Sequence, residues 1–199
     1  MAQTKKDGVR EAILQAAFGL FSEIGYSESS IPAIAAAAGI STANVYRYFP
    51  SKLQILYTLY EPWLVARLDE LGATLGRIAD PRKRLEKVLL ALWRELPRAT
   101  NGFANNVMQA LSTSGRNDAY DPHLRLLFQG RVADWIADAT ALSTRESRIV
   151  AGVALMAFDG FAMNVHLPVG IVCDTATARL IARTLIAPGT PLNGPRRAA

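Results

Sequence analysis

The chain has 199 residues and a formal net charge of +5, with 50% of its residues hydrophobic and 20% charged. That balance excludes a disordered or fibrous chain and leaves room for one large domain, or a small one joined to a larger one, around a real core. Cys173 is the only cysteine, which excludes an intramolecular disulfide and a thiolate zinc site and suits a reducing cytoplasm, the expected location.

The opening MAQTKKDGVR has no apolar segment behind its charges, so no signal peptide is expected. Helical spacing begins with Val9, Ile13, Ala17, Leu20, Phe21 and Ile24, and Gly25 stands where a helix ends. Ser29 or Ser30 can cap a short second helix with Pro32 in its first turn, stopped by Gly39. Ser41 can cap a third helix that runs to about Phe49 before Pro50. A long fourth helix starts near Ser51 and reaches toward Leu75, with Leu53, Leu56, Tyr60, Trp63 and Leu71 near one face. Pro62 lies inside it, and a proline there predicts a kink or restart between Thr58 and Trp63.

Later starts follow the same logic. Asp80-Pro81 and Asp121-Pro122 each place an acid at the cap before a proline, STRE at residues 143–146 reads as a capping box, and Asp174 can cap a last helix to about Ile186. Residues 149–173 are apolar enough to resemble a membrane span, but Asp159, Asn164, His166 and Pro168 interrupt them, and a helix buried among other helices explains the same composition. No membrane partner is expected. The Pro- and Gly-rich end, residues 191–199, reads as a disordered tail. The predicted fold is all-α.

The two short helices joined by AGIS (residues 38–41) form a helix-turn-helix pattern, in which the second helix enters the major groove. Small Ala35, Ala36 and Ala38 permit a close crossing, with Ile34, Ile40 and Val45 beneath. Thr42, Ala43 and Asn44 then occupy the leading turn, where Asn44 can bond an adenine edge and the methyls of Thr42 or Ala43 can meet thymine. Tyr46, Arg47, Tyr48 and Lys52 are candidate phosphate donors. Each has a plainer reading: Tyr46 as core, Arg47 and Lys52 as solvated charges, Ser30 and Ser41 as helix caps only. A cap hydroxyl is also where a phosphate can sit.

Residues 30–56, SIPAIAAAAGISTANVYRYFPSKLQIL, resemble the DNA-binding segment of the TetR family of bacterial transcriptional regulators, and ILQAAFGLFSEIGY at residues 13–26 resembles its first helix. The resemblance implies a homodimer. A three-helix helix-turn-helix DNA-binding domain over residues 1–52 would bind a palindromic double-stranded DNA operator. A larger helical domain over residues 53–190 would hold a small effector and the dimer interface, and effector binding would re-space the recognition helices and release DNA. Two positions depart from the pattern: Ala43 stands where glycine or another small polar residue is common, and Pro62 interrupts the linking helix.

Beyond residue 60 no nucleophile-elbow, phosphate-loop or HExxH pattern occurs, so no enzyme, cofactor or metal is expected. Trp63, Trp93, Phe103, Met108, Phe128, Trp135, Met156 and Met163 are candidates to line an effector pocket, or simply core. Asp159, seven residues before His166 and so on the same helix face, can polarise one end of such a pocket or meet solvent. An apolar or aromatic effector is expected. Small Ala151, Gly152, Ala154, Ala157, Gly160 and Ala162, with Leu180, Ile181, Leu185 and Ile186, make the last two helices candidates for a subunit seam, intramolecular burial being the competing reading. The function expected is a dimeric repressor released by its effector. The other reading is a constitutive DNA-binding module that recruits a protein partner.

Overall fold

The computed structural model describes residues 2–113, 122–165, 167 and 172–186. Among them the chain is helical, with no strand: α1 (Ala2–Glu23), α2 (Gly25–Glu28), α3 (Ile31–Ala37), α4 (Thr42–Tyr48), α5 (Lys52–Leu75), α6 (Pro81–Leu90), α7 (Phe103–Thr113), α8 (His123–Ala139), α9 (Thr144–Asn164) and α10 (Thr175–Leu185). A single π-helical turn, Ala91–Glu95, continues α6. No helix of the described residues is long and apolar enough to cross a membrane.

The caps explain the boundaries. The Ser30 hydroxyl accepts from the Ala33 N–H at 3.2 Å and that of Ser41 from the Asn44 N–H at 3.2 Å, each filling one of the donors a helix start leaves open. The Asp80 carboxylate accepts from Arg82 N at 2.9 Å and that of Asp174 from Thr177 N at 2.7 Å. Ser143 and Glu146 bond reciprocally: Ser143 Oγ accepts from Glu146 N at 3.3 Å, and the Glu146 carboxylate accepts from Ser143 N at 2.8 Å. Asp121, His166, Pro168 and residues 187–199, which include the expected tail at 191–199, lie outside the described residues, and α8 starts after Pro122 without a capping side chain.

Three features depart from the expected reading. Gly25 does more than stop α1: at φ +82° it opens the one-turn helix α2. Helix α5 runs unbroken through Pro62, with no restart. Pro62 is exposed, so the Thr58 carbonyl deprived of its donor sits where water can replace it. The π-turn is the third, closed by Leu96 N–H to Ala91 O at 2.9 Å.

The chain forms two compact units, one of Met1–Val65 with Ala99–Asp121, the other of Ala66–Arg98 with Pro122–Ala199. In the first, α1 packs on α2 and α3, α3 on α4, and α2 on α7. Its core gathers Ile13, Ala17, Phe21, Ile34, Val45, Phe49, Leu53 and Leu56. Of the small residues expected at the α3–α4 crossing, Ala35 is buried, whereas Ala36 is exposed and Ala38 and Ile40 are only half-buried. In the second unit α8 lies along α9, α10 along α6, α6 against α8, and the π-turn against α9. Leu85, Val88, Leu89, Leu92, Val132, Ile136, Ala151, Leu155 and Ala178 fill that core.

Candidate nucleic-acid interface

The turn between α3 and α4 is set by Gly39. Its φ of +68° is the left-handed conformation that side chains disfavour. That conformation lets Ile40 N–H reach Ala35 O at 3.0 Å and Gly39 N–H reach Ala36 O at 3.1 Å, the paired bonds of a Schellman ending. Helix α3 therefore closes within two residues, and Ser41 opens α4 directly.

Helix α4 then divides by its period. Val45 and the following Phe49 point inward and are buried, and Arg10 of α1 lies 5.3 Å from the centre of the Phe49 ring. Ala43, Tyr46 and Arg47, spaced i, i+3, i+4, share the outer face and are exposed. Tyr46 is 54% exposed, so the core reading of this residue does not hold. Asn44 and Tyr48 lie four apart on one flank, half-buried, as is Thr42 beside the inner face. Ser30 and Ser41 are exposed caps.

Lys52 is engaged differently. Its ammonium donates to Tyr26 O at 2.8 Å and Ser29 O at 2.7 Å and lies 4.0 Å from the centre of the Tyr26 ring. It is tied to the α2–α3 connection of its own chain, a role that spacing along α5 does not reveal.

Charge is not where whole-chain basicity suggests. The first unit holds six Lys and Arg against seven Asp and Glu, and the second holds sixteen against ten. What α4 offers an anionic groove is therefore local: Arg47, the Tyr46 and Tyr48 hydroxyls, and the cap serines.

The candidate effector residues fall in both units. In the first, Trp63 is half-buried with its ring 4.7 Å from that of buried Phe103, which also meets Tyr60 edge-on at 5.4 Å; Met108 is half-buried on α7. In the second, the π-turn presents Trp93, whose Nε1–H donates to Ala154 O at 2.9 Å and whose ring stacks on Phe161 at 5.7 Å. Phe128 is buried edge-on against Phe158, and half-buried Trp135 lies beside Gly72. Asp159 is paired with Arg125 at 3.0 Å, yet burial pushes its carboxyl above the usual range against the pull of that guanidinium. Met156 and Met163 do not join the rest: 68% and 67% exposed, they sit opposite the buried Ser147, Ala151, Leu155, Phe158 and Ala162 because the helical period turns them outward.

Residues 13–57 match the family model for bacterial regulatory proteins of the tetR family. The chain is 30% identical over 147 residues to the HTH-type transcriptional regulator EthR of Mycolicibacterium smegmatis, covering 73% of this chain and 64% of EthR. It is 37% identical over 130 residues to the nucleoid occlusion factor SlmA of Vibrio vulnificus, covering 65% of each. The chain thus spans a little under two thirds of the length of the curated relatives it matches. Among solved structures, AibR in complex with isovaleryl coenzyme A and operator DNA superposes with a TM-score of 0.52 at 19% identity, over 89% of this chain and 98% of AibR, a likeness of fold. With the buried Val45 and Phe49, the Gly39 turn and the capped α3 and α4 in place, residues 13–57 form a DNA-binding segment of the tetR family of bacterial regulatory proteins.

Proposed function

We propose that the protein is a dimeric one-component transcriptional regulator of the cytoplasm, a repressor that binds a palindromic operator through α3 and α4 and leaves it when a small effector binds. The observation that carries this reading is the outer face of α4, where Ala43, Tyr46 and Arg47 stand exposed on a helix anchored by buried Val45 and Phe49. On that face the Ala43 methyl can read a thymine methyl, with Thr42 and Asn44 beside it, and Arg47, Tyr46 and Tyr48 hold phosphates. Residues 1–52 are the DNA-binding part in this reading and residues 53–190 the effector and dimer part.

The seam is best supplied by α9 and α10. Ile149, Val153, Met156, Gly160 and Met163 follow heptad spacing along one face of α9, and the four side chains among them that are apolar and large are exposed, as is Leu180 on α10. An isologous pairing of two such faces buries a stripe that a lone chain leaves wet. AibR carries an acyl coenzyme A and operator DNA. That supports an effector with an apolar part for this chain, in keeping with its aromatic-rich helices.

SlmA, named for nucleoid occlusion, supports a second reading, in which the chain binds DNA constitutively and recruits a protein partner. One experiment separates the two. The protein bound to duplex DNA is followed by fluorescence anisotropy while acyl coenzyme A thioesters and apolar metabolites are added, with thermal midpoints measured in parallel. Release of DNA with a raised midpoint supports the effector-responsive regulator. Stable DNA binding with no ligand raising the midpoint supports the recruiting module, and absence of DNA binding contradicts both.

A further inference from the structure

Helix α2 is a single turn with no cap of its own: Ile24 at its N-cap provides no side-chain acceptor. Its first donors are nonetheless satisfied, by side chains about eighty residues further along the chain. Asn106 Oδ1 accepts from Tyr26 N–H at 2.9 Å, and Gln109 Oε1 accepts from Ser27 N–H at 2.8 Å. Asn106 is 1% exposed and uses its other end as well, its Nδ2 donating to Phe21 O at 3.1 Å and to the Tyr60 hydroxyl at 2.9 Å. The Tyr60 hydroxyl donates in turn to Asn101 O at 2.8 Å, and burial pushes its phenol above the ordinary range, so the hydroxyl stays a neutral donor. The Gln109 amide lies so close to Gly25 that a Cβ there would stand 2.9 Å from its Oε1.

The carbonyl side of the same short helix is held as well. The Lys52 ammonium donates to both Tyr26 O and Ser29 O and so bridges the two carbonyls. Ser29 Oγ closes the turn onto Gly25 O at 2.7 Å. One residue later Ser30 caps α3. A buried polar network with its bonds made fixes a geometry, because a displaced donor or acceptor would be left unsatisfied away from water. This turn is the only covalent link between α1 and the helix-turn-helix.

We propose that Asn106 and Gln109 are positioning residues for DNA recognition: by capping α2 from α7 they set the angle at which α3 and α4 are presented. Loss of the two caps frees the Tyr26 and Ser27 N–H groups and loosens that angle without touching the DNA-facing side chains. The inference rests on the DNA-binding reading above.

The test compares wild type, Gln109→Ala and Gln109→Glu, each as the full chain. Gln109 is half-buried, so its truncation leaves the core intact. The probe is a short duplex selected by the wild-type protein from a random-sequence library, and amide exchange of Ser27 is read by NMR on the same samples. Gln109→Ala is expected to speed Ser27 exchange and weaken duplex binding about fivefold, the effect of one lost hydrogen bond. The salt slope stays unchanged, since no phosphate contact is lost. Gln109→Glu keeps the acceptor and restores both readouts. Unaltered duplex affinity in Gln109→Ala with Ser27 deprotected overturns the proposal and leaves the DNA-binding reading intact, as does a Gln109→Glu protein that behaves like Gln109→Ala. A wild-type protein that selects no duplex overturns both.

Discussion

The ammonium of Lys52 lies 4.0 Å from the centre of the Tyr26 ring while donating to the Tyr26 carbonyl at 2.8 Å. A lysine beside a recognition helix is ordinarily read as a phosphate contact, and here its charge is turned into the fold. Lys52→Ala is expected to lower stability by about 1.5–3 kcal/mol, since bonds to a charged donor are lost. Arg47→Ala is expected to leave stability almost unchanged and to reduce the slope of log affinity against log salt by about 1. Denaturant melts and salt titrations of both proteins check the contrast. A Lys52→Ala protein of unchanged stability and reduced slope would return that residue to the phosphate backbone.

A second expectation concerns assembly. Val153 is exposed in the middle of the α9 stripe, so a charge there costs the single chain little. Val153→Glu is expected to fold as wild type by circular dichroism and to sediment as a monomer at concentrations where wild type is a dimer. Wild-type sedimentation as a monomer would refute the seam.

The Arg125–Asp159 pair provides a third. Because burial outweighs the guanidinium at Asp159, the pair is expected to be retained at a desolvation cost. Arg125→Ala, which strands the carboxylate, is expected to cost about 1–3 kcal/mol, and the double replacement Arg125→Leu with Asp159→Leu to cost less than that single change. Additive losses in a double-mutant cycle would contradict this.

The fourth is a pH dependence at the start of α9. The Ser143 hydroxyl, and then its backbone N–H, hold the Glu146 carboxyl below the ordinary glutamate range. A depressed folded value means the contribution is complete above the ordinary glutamate pKa and is lost as pH falls through the lowered one. Protection of the Ser143 amide, corrected for intrinsic exchange, should therefore decline on acidification across that window, and Glu146→Gln should flatten the decline. Constant protection in the wild-type protein would contradict the capping account.

Much of the helical framework was legible because its signals are local. Ser30, Ser41, Asp80, Ser143 and Asp174 each announce a helix within three or four residues, and Gly39 announces the turn that aims α4. The clamp around α2 was not legible, because its cap comes from Asn106 and Gln109 on α7 and no spacing rule links residues so far apart. The bonds of Lys52 to Tyr26 O and Ser29 O are hidden for the same reason, since their partners lie 26 and 23 residues away. Composition groups Met156 and Met163 with the pocket aromatics, whereas their phase on α9 relative to Ala151 and Leu155 sets them outward.

In the proposed regulator α4 reads DNA as one half of a symmetric pair. The most direct measurement is selection by the wild-type protein from a library of random duplexes, with sequencing of what is retained. An enriched inverted repeat is expected, with half-sites about one helical turn apart or a multiple of it, and it is lost when Arg47 and Tyr48 are replaced by Ala and Phe. Retained duplexes with no enriched sequence, or an enriched sequence without two-fold symmetry, would contradict it.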